Sequence, residues 1–202
     1  WRCKKKYKIN KLGLVKFTPH EHNASPILQL ICTQNLPSAG WISFKGKTVK
    51  KSTYCDYEYT VRYKDLSPAD NIDIIPKPYI CSFDIEVNSD NVNMFPSADR
   101  PNDKIFQISC IFSTQGEEVY KKILLTLGNP LQKSVGKDVI IQTFKKEHQL
   151  LIGFTNLINT ENPQLIIGYN ILGFDLPYMM KRAKLSHIQN EFNSMGYIKN
   201  KI

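Results

Sequence analysis

The chain has 202 residues, 42% of them hydrophobic, which is material for a sizeable core and excludes a disordered tail. Lys and Arg number 27 against 18 Asp and Glu, a formal charge of +9 that favours polyanionic partners such as nucleic acid over acidic small molecules. Five scattered cysteines, Cys3, Cys32, Cys55, Cys81 and Cys110, form no Cys-x-x-Cys pair or zinc-finger spacing, and the longest apolar runs fall far short of the roughly 20 residues that span a bilayer.

These features predict a soluble chain of a reducing, intracellular compartment, with no membrane partner. The chain opens on Trp1 and stops at Ile202 with no terminal signal, so the expectation is a piece of a longer polypeptide. In chain order, the run Lys4, Lys5, Lys6, Lys8 and Lys11 is the densest basic cluster, and on its own it reads as a solvated stretch. Up to Pro78 the sequence is mostly β, with a short helix near 26–31, a turn over Pro37–Gly40 and a strand over Asp56–Tyr63. Two prolines around Lys77 make a stiff connection, and the domain boundary is placed there, giving residues 1–78 and 79–202.

Tyr79 to Val87 then alternates as a strand, with Ser82, Asp84 and Glu86 on one face and Cys81, Phe83, Ile85 and Val87 on the other. A polar loop over 88–103 leads to a strand over 104–112, and a turn at Gln115-Gly116 to a third over 120–127, an antiparallel meander. Leu150, Leu151, Phe154, Leu157 and Ile158 mark a helix from about Lys145 to Asn159, closed by Pro163. Leu165-Ile166-Ile167-Gly168 reads as a short buried strand, and a second helix runs from Leu176 to Leu185 with Pro177 in its first turn. The fold class is α/β with a mixed sheet.

Two carboxylates held on one strand face repel each other unless a cation sits between them. Phosphodiester hydrolysis with two cations needs several carboxylates from different elements, one ion making hydroxide and the other steadying the departing oxygen. Asp84, Glu86 and Asp175 form such a convergent set. Plainer roles stay open for each candidate: Asp84 and Glu86 as solvated strand residues, Asp175 as a helix N-cap, Asn170 as a turn residue, Phe95 as a loop anchor. For Phe95 the sharper role is stacking on a base.

Phe83-Asp84-Ile85-Glu86, Phe95-Pro96, Ile105-Phe106-Gln107-Ile108, Gly168-Tyr169-Asn170 and Phe174-Asp175-Leu176-Pro177-Tyr178 with Arg182 closely resemble the proofreading exonuclease domain of family B DNA polymerases. Glu147 to Leu151, the segment around Leu124 to Gly128, and Asn35 to Ile42 look like the delta-type branch, so the resemblance covers most of the chain. It implies a ribonuclease-H-like fold, truncated here, preceded by part of the polymerase amino-terminal domain. It also implies Mg2+-dependent removal of nucleotides from a DNA 3′ end, with Mn2+ able to substitute. By resemblance Asp84, Glu86 and Asp175 are catalytic metal ligands, Asn170 lies near the bound strand, and Phe95 inserts beside the terminal bases. Phe174 packs the Asp175 turn, with a substrate contact as its alternative role.

Partners implied are a single-stranded DNA 3′ end, primer-template DNA, the remainder of the polymerase chain and a sliding clamp. The compartment is a nucleus or a viral replication site, and the abundance of Lys, Asn and Ile suits a large DNA virus. The family's third motif, a Tyr-x-x-x-Asp, has no counterpart after Tyr178, since Tyr197 is followed by Ile198-Lys199-Asn200-Lys201. The expectation is therefore a fragment without polymerase activity and weak or inactive as a nuclease. Rival readings are a degenerate exonuclease domain that guides DNA or serves as a structural module, and a free-standing nuclease of the same fold.

Overall fold

The computed structural model describes residues 6–16, 23–91, 93–118, 120–131 and 135–198. Cys3, Lys4, Lys5 and the stretch Lys199–Lys201 thus lie outside the described residues. The chain divides into two compact units, one of residues up to Lys50 with Tyr57–Ile74, the other of Lys51–Asp56 with residues from Ile75 onward.

In the first unit, β1 (Lys6–Ile9) and β2 (Gly13–Lys16) form an antiparallel hairpin. The expected short helix is α1 (Pro26–Thr33), with Pro26 in the first turn where its missing N–H is harmless. β3 (Ile42–Thr48) pairs antiparallel with β4 (Tyr59–Pro68), and the Phe44 ring meets Tyr59 edge-on with centroids 5.2 Å apart. β3 was not foreseen, and the strand expected over 56–63 begins at Tyr59 and runs on to Pro68, because Leu66 to Pro68 find partners in Ile42 to Phe44.

The second unit is built on a five-stranded mixed sheet of β5 (Tyr79–Val87), β6 (Ile105–Thr114), β7 (Tyr120–Leu127), β8 (Val139–Phe144) and β9 (Leu165–Ile167), in the order β8-β7-β6-β5-β9. β5, β6 and β7 are the expected antiparallel meander, turned at Gly116, whose φ of +82° suits a residue without a side chain. β8 was missed. It runs parallel to β7, so the chain crosses over between these two strands before the helix that follows, where the sequence pattern predicts that helix directly after the third strand.

α2 (Glu147–Glu161) begins with the Gln149 side chain accepting from the Lys146 N–H at 3.2 Å and ends at Asn162, which turns left-handed with φ 48° ahead of Pro163. Its buried stripe of Leu150, Leu151, Phe154, Leu157 and Ile158 packs on the inward face of the sheet, against Cys81, Phe83, Ile108, Cys110, Ile123 and Leu125. Each such side chain contributes about 1.5–3 kcal/mol on burial. Phe83 and Phe154 meet with centroids 5.1 Å apart. α3 (Asp175–Leu185) and the short α4 (Gln189–Phe192) complete this side, with Met179, Ala183 and Phe192 buried.

β9 departs from the expectation of a buried strand. Leu165, Ile166 and Ile167 are 47%, 41% and 48% exposed, because β9 is an edge strand that pairs only with β5 among the described residues. No helix among the described residues is long and apolar enough to cross a membrane.

The 88–103 loop is closed by a buried carboxylate. Asp103 accepts from the Ser97 N–H at 2.8 Å, the Asp90 N–H at 3.4 Å and Arg100 Nε at 2.7 Å. The Arg100 guanidinium, helped by the two backbone donors and opposed by burial, holds this carboxyl down at about 2.

Truncating Phe154→Ala should lower the unfolding free energy by about 3–5 kcal/mol, read from urea denaturation, because a ring is removed from the centre of the helix–sheet interface. Asp103 supplies a second expectation. A carboxyl whose folded value lies below its unfolded value of about 4 stabilises the fold above that pH, and the contribution is lost as pH falls towards 2. The acid limb of the pH–stability curve between those values should be shallower in Asp103→Asn than in the native chain.

Candidate active site

β5 delivers Ser82, Asp84 and Glu86 to the outward face of the sheet, while the alternate residues Cys81, Phe83 and Ile85 are buried. Asp84 faces Ser109 on β6 and Glu86 faces Gln107. Immediately after Glu86 the register slips, since Val87 pairs with Ile105 and Phe106 is the extra residue of a bulge. Bulges bend and twist a strand, and this one sits at the acidic end of β5.

The other side of the site comes from the segment between β9 and α3. Gly168 passes so close to β5 that a Cβ there would lie 2.6 Å from the Phe83 carbonyl oxygen. Asn170 is left-handed, with φ 53°, and its carbonyl accepts from the Gly173 and Phe174 N–H groups at 2.9 and 3.0 Å, folding the chain back towards the sheet. α3 then opens at Asp175 with Phe174 as its N-cap residue.

Asp175 is 2% exposed and does not cap the helix. Its Oδ1 instead accepts from the Ile85 N–H at 3.2 Å. The parallel pairing of β9 ends at Ser82, and Asp175 satisfies a strand donor beyond that end. Burial raises the Asp175 carboxyl above the usual carboxylate range; the Ile85 N–H and its own backbone N–H oppose this, and the neighbouring Asp84 carboxyl adds to it. Asp84 and Asp175, far apart in sequence, are therefore brought together as neighbours at this end of β5. Glu86 shares the outward face with Asp84, but among the described residues no three carboxyl, imidazole or thiol groups close on one point.

The aromatic candidates also meet. Phe95, 76% exposed, stands edge-on to Phe174 with centroids 5.4 Å apart, and Phe174 in turn touches the Tyr178 ring at 5.5 Å. The Tyr178 hydroxyl donates to the Asp103 carbonyl at 2.8 Å, and burial pushes its pKa up to about 12.

A second set of charged residues was present in the sequence without a role. Glu147 at the start of α2 and Arg182 on α3 form a buried ion pair, with Nη2–Oε2 2.5 Å and Nε to both carboxylate oxygens at 2.9 and 3.1 Å. Glu147 Oε1 also accepts from the Ile105 N–H at 2.9 Å. A sequence signal was available, since each puts a charge on the buried stripe of its helix, Glu147 at the head of the Leu150–Ile158 stripe and Arg182 between Met179 and Ala183.

The profile described as "DNA polymerase family B, exonuclease domain" matches residues 17–202. The chain is 42% identical to "DNA polymerase 120R" of Invertebrate iridescent virus 3 over 96% of its length and 18% of that protein's. It is 38% identical to "DNA polymerase 037L" of Invertebrate iridescent virus 6, covering all of this chain and 17% of that one. It is 32% identical to "DNA polymerase delta catalytic subunit" of Arabidopsis thaliana, over 95% of this chain and 18% of that protein. The chain thus spans less than a fifth of the length of these relatives. With nearly its whole length matched, the chain belongs to the exonuclease domain of family B DNA polymerases, whose fold is of the ribonuclease-H-like type.

Proposed function

We propose that this chain is the part of a DNA-directed DNA polymerase that excises nucleotides from a DNA 3′ end by hydrolysing the terminal phosphodiester. The observation that carries the reading is the convergence of Asp84 on β5 with Asp175 at the start of α3. Two neighbouring carboxylates, one of them buried, supply the all-oxygen donors that hard divalent cations prefer, so the pair fits Mg2+, with Mn2+ as a substitute. Asp84 and Asp175 would hold the metal, with Glu86 joining from the same sheet face. When bound, two such ions supply an activated water and neutralise the departing oxygen.

The residues of the chain do the rest. Asp84 and Asp175 must both be ionised to act together, and the Ile85 N–H helps to hold the Asp175 charge. The exposed Phe95 ring, backed by Phe174, offers a stacking face for a terminal base, and Asn170 keeps the turn beneath the strand in place. The net charge of +9 suits a polyanionic substrate. Single-stranded 3′ ends and primer-template DNA are the proposed ligands, with the rest of a polymerase chain and a sliding clamp as partners, in a nucleus or a viral replication site. In this reading residues 1–78 are part of the polymerase amino-terminal domain and 79–202 the exonuclease portion.

Calorimetric titration of Mn2+ into the folded chain should show binding that both Asp84→Ala and Asp175→Ala abolish. In the polymerase that carries this chain, Asp84→Ala should slow excision by more than about 100-fold, beyond the usual range for an outer partner of a metal ligand, with primer extension retained. Excision that survives Asp84→Ala would leave the domain as a DNA-guiding module.

A further inference from the structure

Phe95 presents a large apolar ring to solvent from a polar loop, and among the described residues its ring meets that of Phe174 alone. The precision of its placement must therefore come from the backbone beneath it. Arg100 Nη2 donates to the Phe95 carbonyl at 2.5 Å and to Ser89 Oγ at 3.4 Å, while its Nε is fixed by the buried Asp103. The loop is gripped a second time from α3. Arg182 Nη1 donates to the Ala98 and Arg100 carbonyls at 3.1 and 2.9 Å, and Nη2 to the Pro101 carbonyl at 3.3 Å. Glu147 fixes that guanidinium from α2.

We infer that Arg182 and Arg100 are positioning residues for the DNA 3′ end, which act by fixing the 95–103 loop so that the Phe95 ring stands ready against Phe174, one residue from Asp175. This rests on the exonuclease reading above. Neither arginine needs to touch the reacting phosphate. A planar guanidinium can bind several carbonyls at fixed angles at once, whereas a lysine ammonium in the same place keeps the charge and loses the fork. Charge alone therefore does not suffice, and the two residue types separate a positioning role from an electrostatic one.

The test uses the polymerase that carries this chain, with steady-state excision of a single-stranded oligonucleotide by Arg100→Ala, Arg182→Lys and Phe95→Ala, and by each arginine variant combined with Phe95→Ala. Folding is checked by thermal unfolding. Each arginine variant should raise KM about tenfold with kcat within about twofold, the pattern of lost substrate binding. Once Phe95 is already alanine, the same arginine change should add nothing further, because residues that act through one another are not additive. The inference is overturned if folded arginine variants leave KM unchanged, if kcat falls instead, or if their effects multiply with that of Phe95→Ala. Should Arg182→Lys fail to fold, Arg100→Ala, at a position less buried than Arg182, decides by the same criteria. Asp84→Ala separates the two levels: excision lost there with Arg100→Ala unaffected rejects the positioning role alone, and excision retained there rejects the nuclease reading itself.

Discussion

A guanidinium cannot shed its charge inside a protein, so wherever Arg182 is buried its surroundings must supply acceptors for every N–H it carries. They do: Nε and one Nη2 hydrogen go to Glu147, Nη1 to the Ala98 and Arg100 carbonyls, and the remaining Nη2 hydrogen to Pro101. Four parts of the fold meet on this one group, since Glu147 also takes the Ile105 N–H at the start of β6. Removing either partner would leave an uncompensated buried charge, at a cost of about 3–5 kcal/mol. The pair thus fixes where α2, α3, the head of β6 and the aromatic-bearing loop stand relative to one another.

What could be read from the sequence divides by the range of the interaction. β5 was legible to the residue because alternation is a local signal, and the same alternation sends Asp84 and Glu86 outward. The stripe of α2 was legible for the same reason, although its end at Asn162 depends on a left-handed turn that periodicity does not mark. β8 was missed because a parallel partner is declared by a crossover and not by a hairpin turn, and Val139 to Phe144 carries no such punctuation. β9 looked buried because Leu165, Ile166 and Ile167 are apolar, and apolar composition cannot distinguish a central strand from an edge. The acidic site residues were visible as types in a pattern. The Glu147–Arg182 pairing was not, because nothing local to either helix names its partner.

The start of α3 shows how a helix can release a carboxylate for other work. An aspartate at a helix start ordinarily turns back to satisfy the free amides of the first turn. Here Pro177 lies inside that turn and has no N–H, which removes one of the donors that would compete for Asp175. The carboxylate turns outward to β5, where it extends the hydrogen bonding of the sheet edge past the end of β9 and comes beside Asp84.

The hydrogen bond from Ile85 to Asp175 joins residues 90 positions apart, so the Ile85 amide is shielded by a side chain and not by a neighbouring strand. Opening the α3 edge, even with β5 and β6 still paired, would expose that amide to solvent. Its rate of hydrogen exchange therefore reports how often the site comes apart, independently of whether any substrate is being turned over.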